Sequence, residues 1–191
     1  MSKIRLSWLL IVPVLVTTVL TLAPVAPTSA AEWTGEMKNL GTGLCMTSRG
    51  SQTAGTPIVQ WPCNGSANQE WTAETQALGG YILVNEGSSR GDRKWCLNER
   101  GGVAYKYNTL VMWPCNSGPY NDRFYGSPGP QGGFKMALDA RDLKSNGYCV
   151  TSGGNTHVGS TVFEWPCNYG PNQYWSQPTI YNPWGNDGRG S

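Results

Sequence analysis

Few side chains in this sequence could move a proton or attack a carbon. His157, in GGNTHVG, is the single histidine of the 191 residues and sits in a Gly/Asn-rich stretch that reads as a surface loop. Asp139 and Asp142, in LDARDL, come nearest to paired carboxylates, and in that polar setting they read as solvated turn charges. Proton transfer, covalent catalysis and glycoside cleavage each need a convergent set of such groups. No nucleophile elbow or phosphate-binding loop supplies one. Six cysteines without CxxC spacing and with one histidine do not make a zinc site. The chain is therefore read as a non-enzyme that needs no cofactor and no metal.

The chemistry that remains is aromatic, and it is repeated. QWPCNGSANQEW (60–71) returns as MWPCNSGPYNDRF (112–124) and as EWPCNYGPNQYW (164–175). Trp61, Trp113 and Trp165 recur at intervals of 52 residues, and Cys63, Cys115 and Cys167 keep step with them. A fixed period of that size marks a repeat architecture. Cys45, Cys96 and Cys149 precede these cysteines by 18, 19 and 18 residues. Six thiols allow fifteen pairings. Only Cys45–Cys63, Cys96–Cys115 and Cys149–Cys167 treats the three repeats alike.

The elements that carry these residues are short. WTGEMKNLGTGLCMTS gives two brief segments around a Gly-Thr-Gly turn, and TPIVQWPC and QEWTAE give two more. YILVNEG, KWCLNERGG, YNTLVMWPC and DRFYG repeat the scheme in the middle of the chain. Glycine-bounded runs rich in β-branched and aromatic residues are strands, and nothing after the N-terminal segment has helical periodicity. Twelve short strands in three equivalent sets must close on themselves to hide their edges. The threefold closed arrangement is an all-β fold, the β-trefoil.

The first thirty residues are expected to lie outside that fold. Lys3 and Arg5, an apolar run from Leu9 to Leu22 and the small-residue stretch APTSAAE have the form of a secretory signal, with cleavage after Ala30 or Ala31. The apolar run is too short, and too soon ended by prolines, to be a membrane anchor. Export also suits a six-cysteine chain. Removing this segment takes the formal charge from +2 to zero. A chain without a basic field has no electrostatic footprint for nucleic acid. Residues 31–185 then form a single domain and 186–191 a polar tail.

The GLC of the first strand pair, the run GTPIVQWPCN and the closing NQxW resemble the ricin B-type lectin family, over essentially all of the chain beyond the signal. NQEW and NQYW match the family's Gln-x-Trp, and NDRF is a degenerate copy. The repeats are about ten residues longer than is usual there, between one repeat's last strand and the next repeat's first cysteine. The resemblance implies that Trp61, Trp113 and Trp165 are sugar platforms and that Asn68, Asn121 and Asn172 are their polar partners. It also implies that Trp71, Phe124 and Trp175 are packing residues. The family's Asp, two residues after the first cysteine, is replaced by Thr47, Asn98 and Thr151. Losing that carboxylate removes a charge-assisted bond about twice as strong as a neutral one. The expected product is a secreted, extracellular protein with up to three weak sites for a polysaccharide or glycan. The readings left open beside it are a trefoil that binds a protein, as an inhibitor or effector, and an antimicrobial or wall-associated structural protein.

Overall fold

The computed structural model describes residues 31–76, 79–116, 121–137 and 147–176. The signal-like segment, Asp139, Asp142 and the 186–191 tail lie outside these residues. Among the described residues there are twelve strands, four in each third of the chain.

Six of them make a closed ring. β1 (Ala31–Glu36) pairs with β4 (Glu70–Thr75), and β4 pairs with β5 (Tyr81–Asn85), all antiparallel. β8 (Tyr125–Pro128) pairs with β9 (Gly133–Ala137), which pairs with β12 (Trp175–Ser176). Two seams join these halves. Tyr81 and Phe124 exchange N–H···O bonds of 2.8 and 2.7 Å. Leu40 and Ser176 donate to the carbonyls of Tyr174 and Lys38 at 2.9 and 2.7 Å. The ring leaves no long strand edge free, as strands of two to six residues require if they are not to pair with other chains.

The other six strands are three hairpins. They are β2 (Cys45–Thr47) with β3 (Val59–Trp61), β6 (Trp95–Glu99) with β7 (Leu110–Pro114), and β10 (Tyr148–Thr151) with β11 (Phe163–Pro166). Their second strands meet in a cyclic junction. Ile58 N–H donates to Leu110 O at 2.9 Å, Leu110 to Val162 at 3.0 Å, and Val162 back to Ile58 at 2.9 Å. These three residues are 52 apart and fully buried, so the sequence period becomes a threefold axis of backbone hydrogen bonds.

One apolar core runs through hairpins and barrel, joining Met46, Leu97 and Val150 of the first hairpin strands to Trp71, Phe124 and Trp175. The indoles of Trp71 and Trp175 donate to the Met46 and Val150 carbonyls at 3.1 and 3.0 Å. Neighbouring repeats are stapled by buried asparagines. Asn85 donates to the carbonyls of Asn68 and Glu70 and accepts from the Ser48 hydroxyl at 2.7 Å. Asn39 does the same for Asn172, Tyr174 and Ser152.

Disulfides Cys45–Cys63, Cys96–Cys115 and Cys149–Cys167 tie each hairpin, with Cα separations of 5.0, 5.0 and 5.1 Å. In the strand register each first cysteine faces the tryptophan of its own WPC, so the bridge fixes the turn that follows that tryptophan.

Candidate functional site

The WPCN turns are held by the residues that close each repeat. In the first repeat Asn64 N–H donates to Gln69 Oε1 at 2.9 Å, and Gln69 Nε2 donates to the Pro62 carbonyl at 3.0 Å. Gln173 clips Asn168 and Pro166 in the same way, at 2.8 and 3.0 Å. An amide side chain suits this because it accepts and donates at once. The middle repeat has Asp122, which accepts from Asn116 N–H at 2.7 Å but as a carboxylate has no N–H to return. That is the structural meaning of its degenerate NDRF.

Beside the first turn lies an open cleft of about 470 Å³ lined by Thr47, Arg49, Trp61, Asn64, Asn68 and Gln69. Thr47, Trp61 and Asn68, all of the first repeat, converge here. Trp61 is 46% exposed, a large value for an indole standing on a disulfide-fixed strand. Thr47 is buried; its hydroxyl donates to the Asn68 carbonyl and accepts from Arg49 N–H, both at 3.2 Å. It shapes the backbone rather than offering a group to a ligand. Asn68 Oδ1 is buried and has no hydrogen bond among the described residues. A cleft of this kind, with one aromatic face and a few amides, suits a ring that has an apolar C–H face and hydroxyls at its rim.

The other two platforms differ from the first and from each other. Trp113 is 41% exposed, Asn121 is half-buried, and Asn98 is buried with its Nδ2 unpartnered among the described residues. Trp165 is covered. The Tyr107 ring packs on it edge to face at 4.7 Å, and the Lys106 ammonium sits 4.2 Å from its centroid. Thr151 spends its hydroxyl on the Cys149 carbonyl and the Gln173 amide. Asn172 donates to the Ser152 carbonyl at 3.2 Å.

A single position in the neighbouring loop sets this difference. Gly55, Tyr107 and Gly159 stand 52 residues apart, all have positive φ (83°, 69° and 87°), and donate to Met112, Glu164 and Gln60. A Cβ on Gly55 would lie 4.0 Å from the Trp113 ring, and one on Gly159 would lie 4.0 Å from Trp61. Glycine thus leaves two platforms open, while tyrosine lays its ring over the third. Of the three platforms expected from the sequence, Trp61 and Trp113 stand open and Trp165 has the Tyr107 ring packed against it.

The structure also contains a carboxyl pair that the sequence did not reveal. Glu99 and Glu164 are buried against each other, and Asn108 Nδ2 lies 3.4 Å from Glu164. Burial, then the adjoining Glu99 carboxyl, pushes the Glu164 pKa from 4.5 up to about 10. Glu99 occupies the column of Ser48 and Ser152, and Glu164 that of Gln60 and Met112, so these are packing positions of the repeat rather than a lined cleft. The consequence is for stability. Glu164 is protonated in the folded chain at neutral pH and ionised in the unfolded chain. Its contribution is complete below about pH 4.5 and is lost as pH rises toward 10. One proton of difference gives a slope of about 1.4 kcal/mol per pH unit. Urea titrations from pH 5 to 9 are expected to show wild-type stability falling relative to Glu164→Gln, whose amide has no charge to bury. Parallel profiles for the two proteins would remove the pair from the account. His157 lies in the exposed loop the sequence suggested, where its backbone N–H donates to Asn155 Oδ1 at 3.1 Å.

Known proteins share this architecture. A designed threefold symmetric protein, ThreeFoil, is 18% identical over 77% of this chain and 99% of its own, with a TM-score of 0.65. The Rhizoctonia solani agglutinin is 20% identical over 80% of this chain and 98% of its own, at 0.64. The Macrolepiota procera ricin B-like lectin, solved with lactose, is 18% identical over 79% and 99%, at 0.59. No curated protein sequence matches the chain. The family model of the ricin-type β-trefoil lectin domain matches residues 33–132, more than half of the sequence. With its cyclic hairpin junction, its three bridged repeats and its Gln-x-Trp clips, the chain belongs to the ricin-type β-trefoil lectin family.

Proposed function

We propose that this is a secreted carbohydrate-binding protein, without catalytic activity, that holds a polysaccharide or glycan on the indoles of Trp61 and Trp113. The observation that carries the reading is the convergence of exposed Trp61 with the Asn64 and Asn68 amides in one cleft. The signal-like N-terminus and three disulfides support export. Thr47 in place of a carboxylate makes a single site weak. A free sugar bound at mM affinity has only about 4 kcal/mol in hand. Two platforms on one rigid body recover affinity through a polymer that spans them, by about 10²- to 10⁴-fold.

Titration calorimetry with monosaccharides, and pull-down on insoluble polysaccharides, test this. Trp61→Ala or Trp113→Ala should each weaken polymer binding strongly, and the pair should nearly abolish it. Trp165→Ala should change it little, because Tyr107 and Lys106 already pack on that ring. Tyr107→Gly should uncover Trp165 and raise polymer affinity. A Trp61/Trp113 double variant that binds polymer like the wild type overturns the reading.

A second reading rests on Val103, Tyr105 and Tyr107, each of which is half exposed or more on one loop. They suit a protein partner docking through that loop. Val103→Ser with Tyr105→Ser would then abolish the partner's binding and spare glycan binding.

A further inference from the structure

We infer that the Trp61 cleft is built for an acidic sugar, a uronate residue whose carboxylate is taken by Arg49. The inference rests on the carbohydrate-binding reading and specifies its ligand. None of the six residues lining the cleft is an acid. Where the family places a carboxylate, this cleft has Thr47, whose hydroxyl is turned to the backbone. The charge of the site is therefore inverted: its one ionic group is the Arg49 guanidinium.

That guanidinium is positioned and unspent. Arg49 is exposed, and among the described residues it makes no ion pair and no side-chain hydrogen bond. Its backbone has φ 59°, a left-handed conformation unusual for arginine. Two bonds hold the turn there: Arg49 N–H to Thr47 Oγ1 at 3.2 Å, and Gly50 N–H to Ser48 Oγ at 3.0 Å. Glu36, at the end of β1, turns its Oε1 to the backbone N–H groups of Asn64 and Gly65, from which it accepts at 3.2 and 2.7 Å. The corresponding residues of the other repeats are Arg100, which donates to the Gly55 carbonyl at 3.2 Å, and Gly153. Among the described residues, only the first repeat combines an open indole with a guanidinium that makes no hydrogen bond.

The chemistry follows. A planar guanidinium gives a carboxylate two parallel N–H donors, a stronger and more directional contact than a hydroxyl makes. A pyranose stacked on Trp61 can present its ring-borne carboxylate at the rim while the Asn64 and Asn68 amides meet its hydroxyls. Part of the binding lost with the missing acid is thus regained with the opposite sign.

Polygalacturonate, polyglucuronate and alginate, each beside its methyl ester, test the inference, with polyglutamate as a ringless polyanion. Wild type should bind at least one uronate polymer tenfold or more tighter than its ester. Arg49→Asn, which keeps a residue tolerant of the left-handed backbone, should erase that difference by lowering affinity for the acid polymer to the level of its ester. Trp61→Ala should weaken both forms. Circular dichroism melts should match for wild type and Arg49→Asn, and Arg49→Lys is the second variant if they do not, expected to retain a reduced preference. Equal affinity for acid and ester, with both lost in Trp61→Ala, overturns the uronate assignment and leaves the carbohydrate reading standing. Binding to polyglutamate as tight as to uronate overturns the assignment too. Indifference of every polymer to Trp61→Ala brings down the carbohydrate reading itself.

Discussion

Reduction of the three disulfides is expected to unfold this protein at room temperature. The loops they close span 18, 19 and 18 residues. In the chain-entropy model each loop of that size restrains the unfolded chain by about 3 kcal/mol. Three of them together rival the whole stability of a typical domain, about 5 to 15 kcal/mol. The fold has little to replace them: its strands are short, and much of its backbone lies in turns. Guanidinium titrations with and without reductant, followed by near-ultraviolet circular dichroism, should show the native signal only in the oxidised protein. Paired replacement of Cys45 and Cys63 by serine should cost about 3 kcal/mol and also weaken ligand binding at the first cleft, because that bridge anchors the turn behind Trp61. A reduced protein with an unchanged melting temperature would show that packing alone maintains the trefoil.

What could be read in the sequence was whatever obeyed the period. The 52-residue interval carries the cyclic junction of Ile58, Leu110 and Val162, the three bridges and the twelve strands, because a threefold body repeats its backbone and its core. The columns through Trp61 and Trp71 are of this kind. The departures from symmetry are what the period concealed. Tyr107 covers Trp165 because one side chain stands in a column otherwise filled by glycine. Comparing Gly55, Tyr107 and Gly159 would have exposed the break, but not the direction in which the ring turns. Glu99 and Glu164 are 65 residues apart and belong to different columns, so only the packing of one repeat against the next brings them together. Arg49 was legible as a residue and illegible as a site, since its meaning depends on lying in a cleft with no acid.

Replacing Trp71 or Trp175 by alanine is expected to destabilise the fold by about 3 to 5 kcal/mol, the usual range for truncating a core aromatic. Both indoles are completely buried, and both belong to the continuous core shared by barrel and hairpins. Each also donates its Nε1–H to a carbonyl of the first hairpin strand, so alanine removes a hydrogen bond together with the ring. The middle repeat supplies an internal control. Phe124 fills the same position without a donor, so Trp71→Phe keeps most of the burial and gives up a bond worth about 1 kcal/mol. The order of stability should be wild type, then Trp71→Phe, then Trp71→Ala, with the second step the larger. Trp61→Ala belongs to another class. Its ring is nearly half exposed, so its truncation should scarcely move the melting temperature while it empties the cleft. Thermal melts of the four proteins, run beside polymer binding, separate the two roles: a Trp61→Ala melt as depressed as that of Trp71→Ala would make the WPC indoles part of the core and leave the cleft without its platform.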